Sequence, residues 1–228
     1  MKSIILISLL CLSLCASHLR TSTPEYDSLV LAIQWANGVC ASKSSICQEK
    51  MSRMKPNTMS LHGLWPSLKS GKMLPTCNTG AEIPVVNDGT EVFKQMEVTW
   101  PSFMKTDEEF WTHEYNKHGF CYVNENHLSG YKDYFAKTLE FFDEQQFETM
   151  MTRIFPNATG EVETTYKELK AKIDKAYPGL IYRISCKGSK GHLQLTEFYL
   201  YYDLEFKPSQ VKFSQNCPTN KKFYVKFE

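Results

Sequence analysis

Apolar and polar positions along the chain change period several times, and the changes mark out its elements. Ser28 to Trp35 gathers Leu29, Val30, Leu31, Ile33 and Trp35 into one short run, the pattern of a buried strand. Thr58 to Trp65 predicts a second strand that runs into a turn at Pro66. Leu180 to Cys186 and Gln194 to Phe206 are rich in β-branched and aromatic residues. In the latter, strict alternation sets Leu195, Glu197, Tyr199, Tyr201 and Asp203 on one face and Phe198, Leu200, Tyr202 and Leu204 on the other. Phe223 to Phe227 predicts a short closing strand. Helical spacing fills the middle, at Glu91 to Met96, Asp107 to His118, Ser129 to Ile154 and Val162 to Ala176. Ser67 to Asp88, with Gly71, Pro75, Gly80 and Pro84, predicts a long loop. Helices in the middle and strands at both ends make the class α+β, with a central antiparallel β-sheet flanked by helices. A length of 228 residues suits one sizeable domain.

The first residues change where that domain begins. Met1-Lys2 is followed by the apolar run Ile4 to Leu14 and then by Cys15-Ala16-Ser17. A charged start, a short apolar stretch and small residues describe a secretory signal peptide over 1–17, with the folded domain at 18–228. The run is too short to span a bilayer, and no later stretch is apolar enough to do so. The expected destination is export or the lumen of an acidic organelle, with no membrane attachment once the signal is cut. Of eight cysteines, Cys11 and Cys15 leave with the signal. The six that remain (Cys40, Cys47, Cys77, Cys121, Cys186 and Cys217) predict three disulfides in an oxidising compartment. No Cys-x-x-Cys pair occurs, which argues against a zinc ribbon or a thioredoxin-type site. Asn157-Ala158-Thr159 is a glycosylation sequon, meaningful only in a secreted chain.

Charge removes one class of function. The 26 basic residues less Lys2 leave 25, against 25 acidic residues. A balanced chain lacks the broad electrostatic grip of an architectural nucleic-acid binder, but an enzyme that handles a few nucleotides at a time needs no such grip.

The chemistry concentrates in Thr106 to Cys121, TDEEFWTHEYNKHGFC. Thr106 and Glu109 form a capping-box signal, and Gly119 reads as a helix stop. At about 100° per residue, Lys117 falls roughly 40°, Glu114 roughly 100° and His118 roughly 140° from His113. Two histidines, a carboxylate and an ammonium thus share one arc, with Thr112, Asn116, Glu108 and Glu109 on the opposite, solvated side. A charged helix face is more often plain surface laced with i,i+4 pairs. The zinc motif His-Glu-x-x-His is not matched: the histidines are five apart and Lys117 stands between them, so no metal or other cofactor is expected.

A second segment, Leu61-His62-Gly63-Leu64-Trp65-Pro66, changes the weighting. His-Gly-Leu-Trp-Pro together with His-Glu-x-x-Lys-His-Gly-x-Cys resembles the two active-site blocks of the ribonuclease T2 family. Ala32-Ile33-Gln34-Trp35 with Cys40, Trp100-Pro101 and Phe110-Trp111 extend the likeness from about Leu31 to Cys121. The resemblance implies a metal-independent endoribonuclease acting on single-stranded RNA as a monomer, and inert towards DNA, which lacks the 2′-hydroxyl. His118 would be the base and His62 the acid of the first step, with the roles reversed in the second. Lys117 would stabilise charge on phosphorus oxygens. Glu114 would act in the same environment, orienting His118 or sharing a proton, and His113 would contact the phosphate. Trp65 would offer a flat face for a base.

Three positions depart from the family pattern: Phe120 where Thr is commoner, Ala36 after Gln-Trp, and Ser67, where some relatives carry a base-contacting Asp. Among fifteen possible cysteine pairings, Cys40–Cys47, Cys77–Cys121 and Cys186–Cys217 are expected. A catalytically silent RNA-binding or inhibitory relative and a storage glycoprotein are the competing classes. The filled histidine pair argues against both.

Overall fold

In the computed structural model, which describes residues 26–41, 44–189 and 191–228, the run Ser28–Trp35 is a strand (β1) paired along both edges. The segment assigned to a signal peptide lies outside the described residues. Two short helices, α1 (Ala36–Val39) and α2 (Ser45–Met51), lead to β2 (Met59–Ser67). The long loop comes next, and then α3 (Glu91–Thr99) and α4 (Asp107–Glu114). A π-helical turn (Tyr115–Gly119) joins α4 to α5 (Phe120–Glu125). Beyond it lie α6 (Tyr131–Glu144), a 3₁₀ turn (Phe147–Thr149) and α7 (Met150–Ile154). The chain ends through β3 (Glu161–Thr165), α8 (Tyr166–Ala176), β4 (Tyr182–Ser189), β5 (His192–Tyr202) and β6 (Lys222–Lys226).

The strands form one sheet in the order β2-β1-β5-β6-β3, with β4 also paired to β5. Its ladders are antiparallel except for a single parallel bridge, Gln194 to Tyr224, so the sheet is mixed rather than wholly antiparallel. The helix expected from Val162 begins only at Tyr166. Residues Glu161–Thr165 pair with β6, and Thr165 closes a capping box with Glu168 at the true helix start.

Leu29, Leu31, Ile33 and Trp35 of β1 face the helices and meet Phe93, Trp111, Phe135 and Phe142 in the main core. Each such buried side chain contributes about 1.5–3 kcal/mol. The opposite sheet face carries a smaller cluster of Val30, Ala32, Trp65, Tyr201 and Val211.

Two register shifts interrupt strict alternation. On β2, Gly63 pairs with Ala32 and Leu61 with Ile33, which leaves His62 without a partner on β1. Between β4 and β5, Glu197 pairs with Ser185 and Leu195 with Cys186, which leaves Thr196 over. A bulge of this kind inverts the facing of the residues on its far side. Leu195 therefore joins Phe198, Leu200 and Tyr202 in the main core instead of sharing a face with Glu197.

Disulfides join Cys40 to Cys47, Cys77 to Cys121 and Cys186 to Cys217. Asn157 is exposed in the turn after α7. Among the described residues no helix is long and apolar enough to cross a membrane.

Candidate active site

His62 is the extra residue of the β2 bulge, and this irregularity aims its ring. Its carbonyl, freed from the β1 ladder, accepts a hydrogen bond from Trp100 Nε1 at 2.8 Å. Its Nδ1 lies 2.7 Å from Glu197 Oε1, and its Nε2 lies 3.7 Å from Glu114 Oε1. The ring packs edge-on to Trp65 (centroids 5.0 Å) and against Phe110 (5.5 Å). The imidazole is still a quarter exposed, so one edge remains open to solvent.

The second half of the site comes from α4 and the turn after it. Thr106 and Glu109 form the expected capping box at the start of α4. Gly119 does not stop the helix: the chain passes through it into α5, with Phe120 N–H bonding to Tyr115 O, an i→i+5 bond. Gly119 serves packing instead. A Cβ there would lie 2.8 Å from Tyr134 Cδ1 and 2.9 Å from Tyr115 Cδ2.

The wide turn leaves the carbonyls of Asn116 and Lys117 free to accept from Asn78 N (2.9 Å) and Cys77 N (3.1 Å). The Asn116 side chain is buried, not solvated. Its Oδ1 accepts from Asn78 Nδ2 and Ile83 N, and its Nδ2 donates to Ile83 O and Thr112 O. With the Cys77–Cys121 disulfide, these bonds clamp the long loop to the turn that carries His118.

Trp65 joins the two halves. Its indole stacks on the His118 ring (centroids 4.9 Å, planes 23° apart), and its Nε1 donates to Glu114 Oε2 at 2.7 Å. Gly63 makes room for this bond: a Cβ there would come within 2.3 Å of Trp65 Nε1 and 2.4 Å of Glu114 Oε2. Trp65 is only 7% exposed, so the flat face expected to receive a base is covered by His118. Glu114 is buried and turns toward Trp65 and His62 rather than orienting His118. His113 is exposed and Lys117 half-buried at the rim, close enough for their charges to act on His118.

The two central histidines are driven in opposite directions. Burial opposes protonation of His62, but its hydrogen bond to Glu197 and the charges of Glu114 and Glu197 outweigh burial and the opposing charge of Lys187, raising its pKa above 6.5. His118 has no such carboxylate. Burial first, then the charges of Lys117, His62 and His113, push it down to about 3. Burial also lowers His113, helped by Lys105, Lys117 and His62. Glu114 is raised by burial, against the pull of His62 and of the Trp65 bond. Glu197 is buried too, yet His62, Tyr199 and Gln34 hold it down at about 2. The site thus favours the charged form of His62, at the edge of the Trp65 indole, and the neutral form of His118, on its face.

Sequence reasoning misses the carboxylate behind His62. In the sequence, Glu197 is only one member of an alternating strand. The available signal is an acid within an aromatic and aliphatic strand interior, a position where an unpaired carboxylate is costly. Gln34 on β1 and Tyr199 on β5 complete this group. Among the described residues no cluster of three or more His, Cys, Asp or Glu could hold a metal ion.

A family profile described as "Ribonuclease T2 family" matches residues 26–223. The chain is 25% identical to ribonuclease T2 protein rnst-2 of Caenorhabditis elegans over 97% of its own length and 77% of that protein. It is also 25% identical to ribonuclease T2 of Homo sapiens, over 79% of this chain and 66% of the human protein. Among solved structures, the RNase-related protein from Calystegia sepium superposes with a TM-score of 0.69 at 19% identity, covering 89% of this chain and 97% of that one. At that identity the superposition speaks for the fold.

Proposed function

This chain belongs to the ribonuclease T2 family, and we propose that it cleaves single-stranded RNA with His118 as the base and His62 as the acid. The observation that carries the reading is the opposite displacement of the two histidines, one raised and one lowered around a shared Trp65. Environments that push two titratable groups apart mark an acid and a base.

In the first stage, neutral His118 takes the proton of the 2′-hydroxyl. The 2′-oxygen bonds to phosphorus, the bond from phosphorus to the 5′-oxygen breaks, and His62 gives its proton to that oxygen. The products are a 2′,3′-cyclic phosphate and a 5′-hydroxyl. In the second stage, His62, now neutral, takes a proton from water, and the water oxygen bonds to phosphorus. The bond to the 2′-oxygen breaks, protonated His118 returns its proton there, and a 3′-phosphate remains.

Negative charge on the non-bridging oxygens would meet Lys117 and His113 at the rim. Trp65 acts as the inner platform that fixes His118, so a base must stack elsewhere. None of these roles calls for a metal. DNA offers no attacking hydroxyl. Release into an oxidising, acidic compartment fits the disulfides and the raised His62.

The test is incubation with single-stranded RNA and with DNA across pH, with EDTA present, and analysis of product ends. RNA cleavage should persist in chelator and leave 2′,3′-cyclic or 3′-phosphate ends. Activity should decline as pH falls toward about 3, where His118 gains its proton. It should also decline as pH rises through the elevated pKa of His62. An optimum at about pH 5–6 falls between these limits and slightly below the unperturbed histidine value of about 6.5. Loss of activity in EDTA, or equal cleavage of DNA, would sink the reading.

A further inference from the structure

The sheet face that carries His62 holds a carboxylate to which the proposed reaction gives no task. We propose that Glu197 is a positioning residue for the general acid: it fixes the proton on Nδ1 of His62, leaves the Nε2 proton for the departing oxygen, and favours the charged ring until that proton is given. The inference deepens the ribonuclease reading and rests on it.

Three adjacent strands build the group. Gln34 on β1 lies across from Glu197 on β5, and the β2 bulge brings His62 onto the same face. Glu197 is only 3% exposed, and two of its partners, the Gln34 amide and the Tyr199 hydroxyl, are donors. Oε1 faces His62 Nδ1 at 2.7 Å and receives Gln34 Nε2 at 3.2 Å, while Oε2 receives the Tyr199 hydroxyl at 2.7 Å. A donor on each oxygen stabilises the ionised carboxylate, consistent with a Glu197 held down at about 2.

Gln34 Nε2 also lies 3.4 Å from His62 Nδ1. An amide nitrogen can only donate, and the much shorter contact to Glu197 requires Nδ1 to donate as well. The two contacts therefore compete for one nitrogen, and the tautomer that satisfies the shorter one, with hydrogen on Nδ1, leaves Gln34 bonded to Glu197 rather than to the ring. A charge-assisted bond of this length is about twice as strong as a neutral one.

The other charged groups near His62 do not substitute for Glu197. Glu114, from α4, approaches Nε2 at 3.7 Å, and its oxygen pair is shared with Trp65. Lys187 from β4, His113 from α4 and His118 from the π-turn repel a positive His62. Tyr199 bears on Glu197, not on the ring. Removing Glu197 would leave Glu114 as the single nearby carboxylate among the described residues, and it faces the wrong nitrogen for fixing the tautomer.

The experiment compares wild type, Glu197→Gln and Glu197→Ala by pH–rate profiles on a dinucleotide and by NMR titration of the His62 ring, assigned with His62→Ala. Glu197→Gln keeps an acceptor and removes the charge. The His62 titration and the alkaline limb of kcat/KM should both move down by about one unit or more, with KM unchanged. Glu197→Ala removes the acceptor as well and should lower kcat roughly ten- to a hundredfold. That is less than the about 10²–10⁴ expected for losing the acid itself. An unmoved titration and alkaline limb in Glu197→Gln would overturn the inference. If neither variant folds, ring nitrogen shifts of wild type above the His62 pKa decide: hydrogen on Nδ1 supports the proposal, hydrogen on Nε2 overturns it. A wild type without RNA cleavage would refute the ribonuclease reading while leaving the titration result standing.

Discussion

Gly63→Ala adds one methyl group where the two halves of the site meet. The backbone does not forbid it, since Gly63 is not among the residues with positive φ. The obstacle is space. The new Cβ would sit 2.3 Å from Trp65 Nε1 and 2.4 Å from Glu114 Oε2, whereas ordinary contact begins at 3.4 Å. The two atoms must retreat by 3.4 − 2.3 and 3.4 − 2.4, about 1.1 and 1.0 Å, from where their mutual hydrogen bond is 2.7 Å long. Overpacking of this kind costs about 1–3 kcal/mol. Losing a hydrogen bond to a charged group adds about 1.5–3 kcal/mol if the bond cannot re-form. Because Trp65 carries His118 on its face, the displacement reaches the base directly, and a misplacement of about 1 Å can cost 10²-fold in rate. The expected result is a roughly hundredfold lower kcat together with a reduced urea midpoint. A lower midpoint with kcat within twofold of wild type would show that the Trp65–Glu114 bond serves folding alone, and the account of Trp65 as a platform would be refuted.

The same geometry sets the outcome of other substitutions. His62→Ala and His118→Ala should each lower kcat by about 10²–10⁴. His113→Ala, at the exposed rim, should act mainly on KM, and a kcat loss larger than either of the others would reverse these assignments. Replacing Cys77 and Cys121 by Ser opens a link between residues 44 apart, for which chain entropy gives about 4 kcal/mol. Urea unfolding should register most of that, and a loss below about 1 kcal/mol would mean that the Asn116 bonds alone hold the loop.

Features that depend on near neighbours are legible in the sequence. The strand cores of β1, β2 and β5 and the capping box at Thr106 come from local pattern, and the structure places them within a few residues of expectation. The failures share one cause, which is that a distant segment decides them. Glu161–Thr165 has a short, half-buried pattern that continues a helical period, and only pairing with β6 makes it a strand. Gly119 looks like a terminator because nothing local reveals that Tyr134 occupies the space a Cβ would need. Asn116 looks solvated until the 78–83 loop closes over it. At the site, the residue types are legible at His62, Glu114 and His118, but their partners are not. Trp65 turns its face to His118, and Glu197, well over a hundred positions from His62, meets it through a bulge on β2 that no periodicity announces.

The bulges in β2 and β5 bear on which changes this half of the site can absorb. His62 reaches Glu197 because β2 carries one residue more than β1 between Gly63 and Leu61, and β5 carries one more than β4 just beyond Glu197, where Leu195 turns into the core. A substitution at a neighbouring position alters a contact. A single-residue insertion or deletion slides the strand by one place and turns every side chain beyond it to the opposite face of the sheet. The spacing from Leu61 to Trp65 and from Leu195 to Tyr199 is therefore under tighter constraint than most of the residues that fill it. Lineages that vary chain length should do so in the loops and keep these two strands at a fixed count.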